Sequence, residues 1–188
     1  VTTIIARCLP ATMKLGLVAF IIAITVGVTL GIVAAFTKRK WVENLVMFVA
    51  TIGISVPSFL YAMLLMIVFG VILGWLHYIM PAFSLALYPI SMITRLVRSS
   101  MKEVMKQDYI VLARSKGTPM IKVILGHALK NCLIPVVTYA GPLLAFLITG
   151  SFVIESLFSI PGIGSEFVNS VTNRDYTMIM ALTILFGS

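Results

Sequence analysis

The amino-acid sequence predicts an all-α polytopic membrane protein. Of its 188 residues, 60% are hydrophobic and only 11% are charged, whereas a soluble domain carries roughly 25% charged residues. Four long runs without a charged residue are separated by short polar segments, and a fifth run begins at Thr177. Apolar surface on this scale requires lipid around it, so we expect about five transmembrane helices.

The first two runs are long enough to cross a bilayer. Residues 15–36 are uncharged, and at about 1.5 Å per residue they traverse a hydrocarbon core of about 30 Å. Residues 45–76 are also uncharged and exceed one straight crossing. Because proline removes a backbone donor and clashes with the preceding turn, Pro57 predicts a kinked or strongly tilted second helix.

The later runs depend on their flanks or stop early. The third run, residues 81–94, spans the bilayer only if its helix continues past Arg95 and Arg98, whose long side chains can reach the membrane–water interface. The fifth is too short to span. Since a chain that ends inside a membrane is physically implausible, we expect a fragment, truncated at both ends, of one transmembrane domain over residues 1–188. The predicted spans are 12–37, 43–75, 79–100, 130–154 and 176–188.

The distribution of charge predicts the orientation. The net charge is +8, but most Lys and Arg residues lie in two segments between the runs, which disfavours a nucleic-acid-binding surface. The positive-inside rule therefore makes the loops 38–42 and 95–130 cytoplasmic. The charged residues predicted on the opposite face are Arg7, Lys14, Glu155, Glu166, Arg174 and Asp175.

The long basic loop has helix signals of its own. Asp108 is a candidate N-cap for a helix over 109–116, and Gly117 suits the left-handed position that ends a helix. Thr118 and Pro119 indicate a new start, with a capping hydroxyl followed by proline at the first helical position. This helix–glycine–helix pattern fits either a protrusion that docks on another protein or an interfacial helix whose basic residues face lipid phosphates.

A second informative segment follows the fourth run, residues 132–154, on the predicted outer face. Pro161, Gly162 and Gly164 end a helix and permit a tight turn before a helix over 165–171. Non-helical backbone near a membrane is tolerated where it is buried in protein or lines a watery cavity. The residues alone leave two interpretations open, a lip that lines a cavity and an ordinary surface turn.

Five short motifs resemble those of the transmembrane subunits of ABC importers, in the binding-protein-dependent type I group. Residues 108–117 read DYIVLARSKG and residues 127–131 read HALKN, similar to the cytoplasmic coupling motif of the dipeptide, oligopeptide and nickel branch. The other motifs, in family order, are LPAT at 9–12, SVPSF at 55–59, PGIG at 161–164 and RDY at 174–176.

The resemblance implies a permease that forms half of the translocation pathway for short peptides, or alternatively for nickel or glutathione. A secondary transporter or channel without ion coupling is a weaker alternative. The coupling loop would be 106–128, on the cytoplasmic side of a bacterial or archaeal cytoplasmic membrane. The residues implied to contact an ATPase are Asp108, Tyr109, Ala113, Arg114, Ser115, Lys116, Gly117 and His127.

The implied partners are a homologous second permease subunit, two cytoplasmic ABC ATPase subunits, an extracytoplasmic substrate-binding protein and membrane lipid. ATP and Mg would bind to the ATPase subunits. This sequence has no G-x-x-x-x-G-K-S/T phosphate loop, so we expect no enzymatic site and no cofactor on this chain. His77 and His127 fall on opposite predicted faces, and no metal site is expected.

Some positions depart from the broad family pattern or leave a choice open. Val111 and Lys130 replace a glutamate and a proline of the wider superfamily, and the connection 74–81 is short. Gly27-x-x-x-Gly31 and Gly70-x-x-x-Gly74 permit close helix packing. Hydroxyl side chains inside the spans either line the pathway or bond to their own helix, which is the more common case. The pathway candidates are Thr51, Ser55, Ser58, Thr138 and Tyr139.

Overall fold

The structure is a computed structural model that describes residues 1–68 and 79–187. These residues form helices, turns and short connections. The second half of the predicted span 43–75, the pair Gly70-x-x-x-Gly74, His77 and most of the connection 74–81 lie outside the described residues.

The described helices follow one another with short connections, and we number them α1 to α11. A π-helical turn, Ile124–Ala128, lies between α6 and α7. The helices are α1 Thr2–Phe36, α2 Lys40–Ser55, α3 Ser58–Leu65, α4 Ile79–Val104, α5 Asp108–Ser115, α6 Met120–Val123, α7 Leu129–Cys132, α8 Ile134–Thr149, α9 Phe152–Leu157, α10 Ile163–Thr172 and α11 Tyr176–Gly187.

Three helical segments are long and apolar enough to cross a membrane: Thr2–Phe36, Ile79–Val104 and Ile134–Leu157. A fourth span results if Lys40–Ser55 and Ser58–Val68 are counted together, and α11 is a shorter apolar helix. The predicted class, an all-α polytopic membrane protein, is confirmed. The single kinked or tilted helix predicted here is instead two helices bent by 105° at Pro57, because α2 ends before this residue and Pro57 is the N-cap of α3.

The predicted membrane domain contains two compact units, each built from separate stretches of the chain. The first unit comprises Val1–Ile22, Val56–Leu87 and Leu143–Ser188, and the second comprises Ala23–Ser55 and Tyr88–Pro142. In the first unit, α10 and α11 pack through Ile163, Met178 and Leu182, which are at most 2% exposed. The partly buried side chains that cover this cluster are Ile5, Cys8, Leu9, Phe167 and Phe186.

In the second unit, α1 and α4 approach closely at two glycines. A Cβ atom on Gly27 would lie 2.8 Å from Cβ of Ile93, and one on Gly31 would lie 2.5 Å from Cβ of Val97. Thr94 Oγ1 donates a hydrogen bond to the carbonyl oxygen of Gly27 over 3.3 Å. The structure therefore shows the close helix packing that Gly27-x-x-x-Gly31 permits, since neither position has room for a side chain.

An ionic cluster holds α2 and α4 together at the end of the same unit. Arg98 Nε donates to Oε1 of Glu43 over 3.0 Å. Arg98 Nη2 and Lys102 Nζ bond to the same oxygen. The glutamate lies in the first turn of α2, where the helix dipole also favours a negative charge.

We predict that Gly31→Val disrupts the packing of α1 on α4. The added side chain would overlap Val97 and the carbonyl oxygen of Thr94, and overpacking of this kind costs at least about 1–3 kcal/mol. The measurement is the temperature at which the detergent-solubilised protein loses its monodisperse elution peak. Gly141→Val in α8 is the matched control, because a Cβ there meets no atom within 4 Å. Equal midpoints for the two variants would contradict the packing argument.

Candidate functional site

The corner of the basic loop is a helix end closed by a left-handed glycine. Gly117 has a φ of 76°, and its N–H donates to the carbonyl oxygen of Arg114 over 2.9 Å. The N–H of Thr118 reaches the carbonyl oxygen of Ala113 over 3.4 Å. These two bonds form the Schellman arrangement, which satisfies carbonyl groups at the end of a helix. The prediction of a left-handed Gly117 between two helical segments is confirmed.

The predicted caps of these helices are each wrong by one residue. The N-cap of α5 is Gln107, and Asp108 is the first helical residue, where its carboxylate still faces the positive end of the helix dipole. Pro119 is the N-cap of α6 and not its first residue, because its ψ of 140° is extended. The proline ring restricts φ but leaves ψ free, so proline alone does not specify which of the two positions it takes.

The two halves of the motif are joined by a hydrogen bond. Asn131 Nδ2 donates to the hydroxyl oxygen of Tyr109 over 2.7 Å, which links α7 to the first turn of α5. Ile110 and Val123 are fully buried beneath the loop, so the surface has a packed base. Ala113 is half-buried, whereas Asp108, Tyr109, Arg114, Ser115, Lys116, Gly117 and His127 are exposed.

The exposed face of this loop is apolar as well as basic, which sequence reasoning missed. Leu112 is 57% exposed, Ile121 70% and Leu125 62%. They flank the corner at Gly117 on both sides in sequence. The available signal was the presence of isolated leucine and isoleucine residues in a segment otherwise rich in charge. A surface that combines exposed apolar side chains with Arg114 and Lys116 is suited to dock on a protein.

A second structured element is a buried carboxylate behind the turn at 159–164. Glu155 in α9 is fully buried, and its Oε2 accepts hydrogen bonds from the N–H groups of Gly164 (2.8 Å) and Ser165 (3.4 Å). These N–H groups belong to the first turn of α10, which lacks intrahelical partners for them. The fully buried Thr12 of α1 also contributes, since its Oγ1 accepts from the N–H of Ile163 over 2.9 Å.

The glycines of this turn are required by the close approach of the carboxylate. A Cβ on Gly162 would lie 2.5 Å from Thr12 Oγ1 and would also overlap Oε2 of Glu155. A Cβ on Gly164 would lie 2.6 Å from the Cα of Phe152. Pro161 is exposed while Gly162 and Gly164 are buried. The turn is therefore a packed corner, and its role as the lip of a cavity stays a prediction.

Sequence reasoning placed Glu155 only among the charges of the outer face. Its contacts instead connect two of the short motifs, because Thr12 ends the LPAT segment and Gly164 ends the PGIG segment. The signal in the sequence for Glu155 was a single acidic residue in an otherwise uncharged segment.

The third motif of this unit, RDY, also has a local function. Asp175 Oδ1 accepts a hydrogen bond from the N–H of Met178 over 3.1 Å and caps α11.

Most candidate pathway hydroxyls bond to their own helix. Thr51 donates to the carbonyl oxygen of Met47 (2.8 Å), Ser55 to that of Thr51 (2.8 Å) and Thr138 to that of Ile134 (3.1 Å). For these three residues the commoner of the two predicted cases is confirmed. Ser58 and Tyr139 are half-buried, and a lining role for any of the candidates stays a prediction.

The chain matches known proteins in sequence and in structure. Residues 27–188 match the family model described as binding-protein-dependent transport system inner membrane component. The whole chain aligns at 41% identity with 65% of the oligopeptide transport system permease protein OppB of Haemophilus influenzae. It aligns at 42% identity with 64% of the dipeptide transport system permease protein DppB of Bacillus subtilis. The chain thus spans slightly under two thirds of these relatives.

Two solved structures share the fold. A chain of the MetNI methionine ABC transporter in an inward facing conformation superposes with a TM-score of 0.78 at 18% identity, over 98% of this chain and 90% of that chain. A chain of an amino acid ABC transporter with histidines superposes with a TM-score of 0.77 at 14% identity, over 98% of this chain and 86% of that chain. At these identities the likeness concerns the fold alone.

We predict that Glu155→Ala destabilises the first unit. The change removes the acceptor for the N–H groups of Gly164 and Ser165, and each buried donor left without a partner costs about 1–3 kcal/mol. Thermal unfolding of the purified protein in detergent measures the effect. Glu166→Ala is the matched control, because Glu166 lies in the first turn of α10, the turn whose N–H groups Glu155 accepts, but is only half-buried. A control variant that is as unstable as Glu155→Ala would refute the assigned role.

Proposed function

The chain belongs to the family of binding-protein-dependent transport system inner membrane components, and from this we propose that it is a transmembrane subunit of an ATP-driven importer of short peptides. The proposal is supported by relatives named as oligopeptide and dipeptide permease proteins. The observation that carries it is the protruding corner at Gly117, with its packed base and exposed apolar and basic residues. In this proposal the chain forms half of the translocation pathway.

The proposed partners follow from the position of this corner. Residues 113–117 insert into a cleft on a cytoplasmic ABC ATPase subunit, which binds ATP and Mg. A second permease subunit completes the pathway, and an extracytoplasmic substrate-binding protein delivers the peptide. The membrane is the cytoplasmic membrane of a bacterium or archaeon, with loops 38–42 and 95–130 on the cytoplasmic side.

The connections around the loop are short enough to transmit a displacement. Only residues 105–107 separate α4 from α5, and the N–H groups of Lys106 and Gln107 bond to the carbonyl oxygens of Glu103 and Val104 over 3.1 Å each. On the other side a single residue, Leu133, separates α7 from α8, and its N–H bonds to the carbonyl oxygen of Leu129 over 3.1 Å.

Because these connections are short and hydrogen-bonded, a movement of α5 displaces α4, and a movement of α7 displaces α8. Both α4 and α8 belong to membrane-spanning segments. We infer that closure of the ATPase pair moves these helices and changes which side of the membrane the pathway faces. We propose that the pathway is lined by the candidates Thr51, Ser55, Ser58, Thr138 and Tyr139. Its outer end would be formed by Pro161, Gly162 and Gly164.

We predict that a cysteine in place of the exposed Ser115 forms a disulfide with a cysteine in the ATPase cleft. The experiment uses the assembled transporter with Cys8 and Cys132 replaced by alanine, and cross-linked product is measured by electrophoresis with and without nucleotide. Ser156→Cys is the control, because Ser156 is equally exposed but lies on the predicted outer face. Absence of the Ser115 cross-link in every nucleotide state would contradict the proposed docking.

We predict that Gly117→Val uncouples ATP hydrolysis from peptide uptake. A left-handed conformation costs a side-chain-bearing residue about 1–2 kcal/mol, and a β-branched residue tolerates it least. Since a Cβ there meets nothing within 4 Å, the effect is one of backbone conformation. Gly117→Asn is the matched control, because asparagine adopts this conformation more readily. The measurements are ATPase rate and peptide uptake in proteoliposomes, and unchanged uptake by Gly117→Val would refute the role of the corner.

A further inference from the structure

A pocket of about 350 Å³ lies where the end of α1 meets the end of α4 in the second unit. It is open on one side and extends to the first residue of α6. None of its residues belongs to the corner around Gly117. Its lining consists of Ala35, Phe36, Met101, Lys102, Met105, Lys106 and Met120.

The pocket combines an apolar wall with a basic rim. Three methionines and Phe36 provide the wall, and methionine side chains adapt readily to the shape of an apolar ligand. Lys102 and Lys106 provide the basic groups. Lys102 shares the carboxylate of Glu43 with Arg98, so this cluster keeps a positive excess of one charge. Lys106 is exposed and has no ion pair within residues 1–68 and 79–187.

The surroundings of the pocket add to the positive potential. Lys38 and Arg39 lie in the connection that follows Phe36, Lys40 begins α2, and all three are exposed. The acidic residues on these helix ends are Glu43 and Glu103. Residues 38–43 and 98–106 therefore contain six basic residues and two acidic ones. The pocket lies at the ends of two helices that are long and apolar enough to span a membrane, and lipid headgroups surround the ends of such helices.

We propose that this pocket binds one anionic phospholipid. Its phosphate lies between Lys102 and Lys106, and the first part of an acyl chain lies against Phe36, Met105 and Met120. Basic pockets at the ends of transmembrane helices bind anionic headgroups in this manner. A free phosphate ion would leave the apolar wall uncovered, and a neutral lipid would leave the charge of Lys106 uncompensated. The proposal rests on the membrane orientation proposed above.

The test measures lipid retained by the intact protein. The protein is reconstituted in vesicles of equal parts phosphatidylcholine and phosphatidylglycerol, extracted in mild detergent and examined by native mass spectrometry. We expect one retained phosphatidylglycerol in excess over phosphatidylcholine. Lys106→Gln is expected to lower this retention about fivefold, as the loss of one lysine at an anionic surface predicts, and Lys106→Arg to preserve it.

Two further variants separate the pocket from diffuse charge attraction. Ala35→Trp fills the pocket without altering the charge and is expected to displace the lipid. Lys130→Gln removes an exposed charge outside the pocket and is expected to retain it. Equal retention of the two lipids, wild-type retention by Lys106→Gln or displacement of the lipid by millimolar inorganic phosphate would each overturn the proposal. Since the readout is lipid mass, its failure is distinct from a failed cross-link at Ser115.

Discussion

Backbone groups buried away from water have to satisfy their hydrogen bonds within the protein, so a buried break between helices needs partners of its own. The clearest case is the carboxylate of Glu155, which accepts from two N–H groups at the start of α10 while being fully buried. Thr12 satisfies the neighbouring N–H of Ile163. Gly162 follows from this constraint, because only a residue without a side chain admits the carboxylate and Thr12 so close to the backbone, and Gly164 admits the backbone of Phe152 together with the same carboxylate.

In the second unit the same requirement for close approach appears in helix packing. Gly27 and Gly31 bring α1 against α4, and dispersion contacts between small residues are a principal source of helix association in lipid. An ion-pair cluster lies further along α4, where Glu43 of α2 meets Arg98 and Lys102. The apolar contacts of α1 with α4 and the ion pairs of α2 with α4 thus hold the end of α4 in place, and the loop carrying Gly117 follows directly from that end.

The end of α4 takes part in both proposals, the docking of an ATPase and the binding of a phospholipid. The loop carrying Gly117 joins α4 and α8 through connections of three residues and one residue, so an ATPase that displaces it acts on two membrane-spanning segments. The proposed lipid site involves the same end of α4, through Lys102 and Lys106. A bound phospholipid and a docked ATPase would therefore both act on the end of α4, the phospholipid directly and the ATPase through the loop carrying Gly117.

The sequence by itself determined the features that depend on a residue and its near neighbours. Uncharged runs indicated helices that are long and apolar enough to span a membrane, Pro57 an irregularity after α2, and Gly117 the left-handed corner, because hydropathy and backbone conformation are local properties. The N-cap positions, which are Gln107 and Pro119, were missed by one residue, because residue type does not specify the ψ angle that decides them. Only the tertiary structure decided the roles of Glu43, Glu155 and Thr12. Thr12 and Ile163 are 151 positions apart, and no local rule pairs a hydroxyl with an N–H group at that distance along the chain.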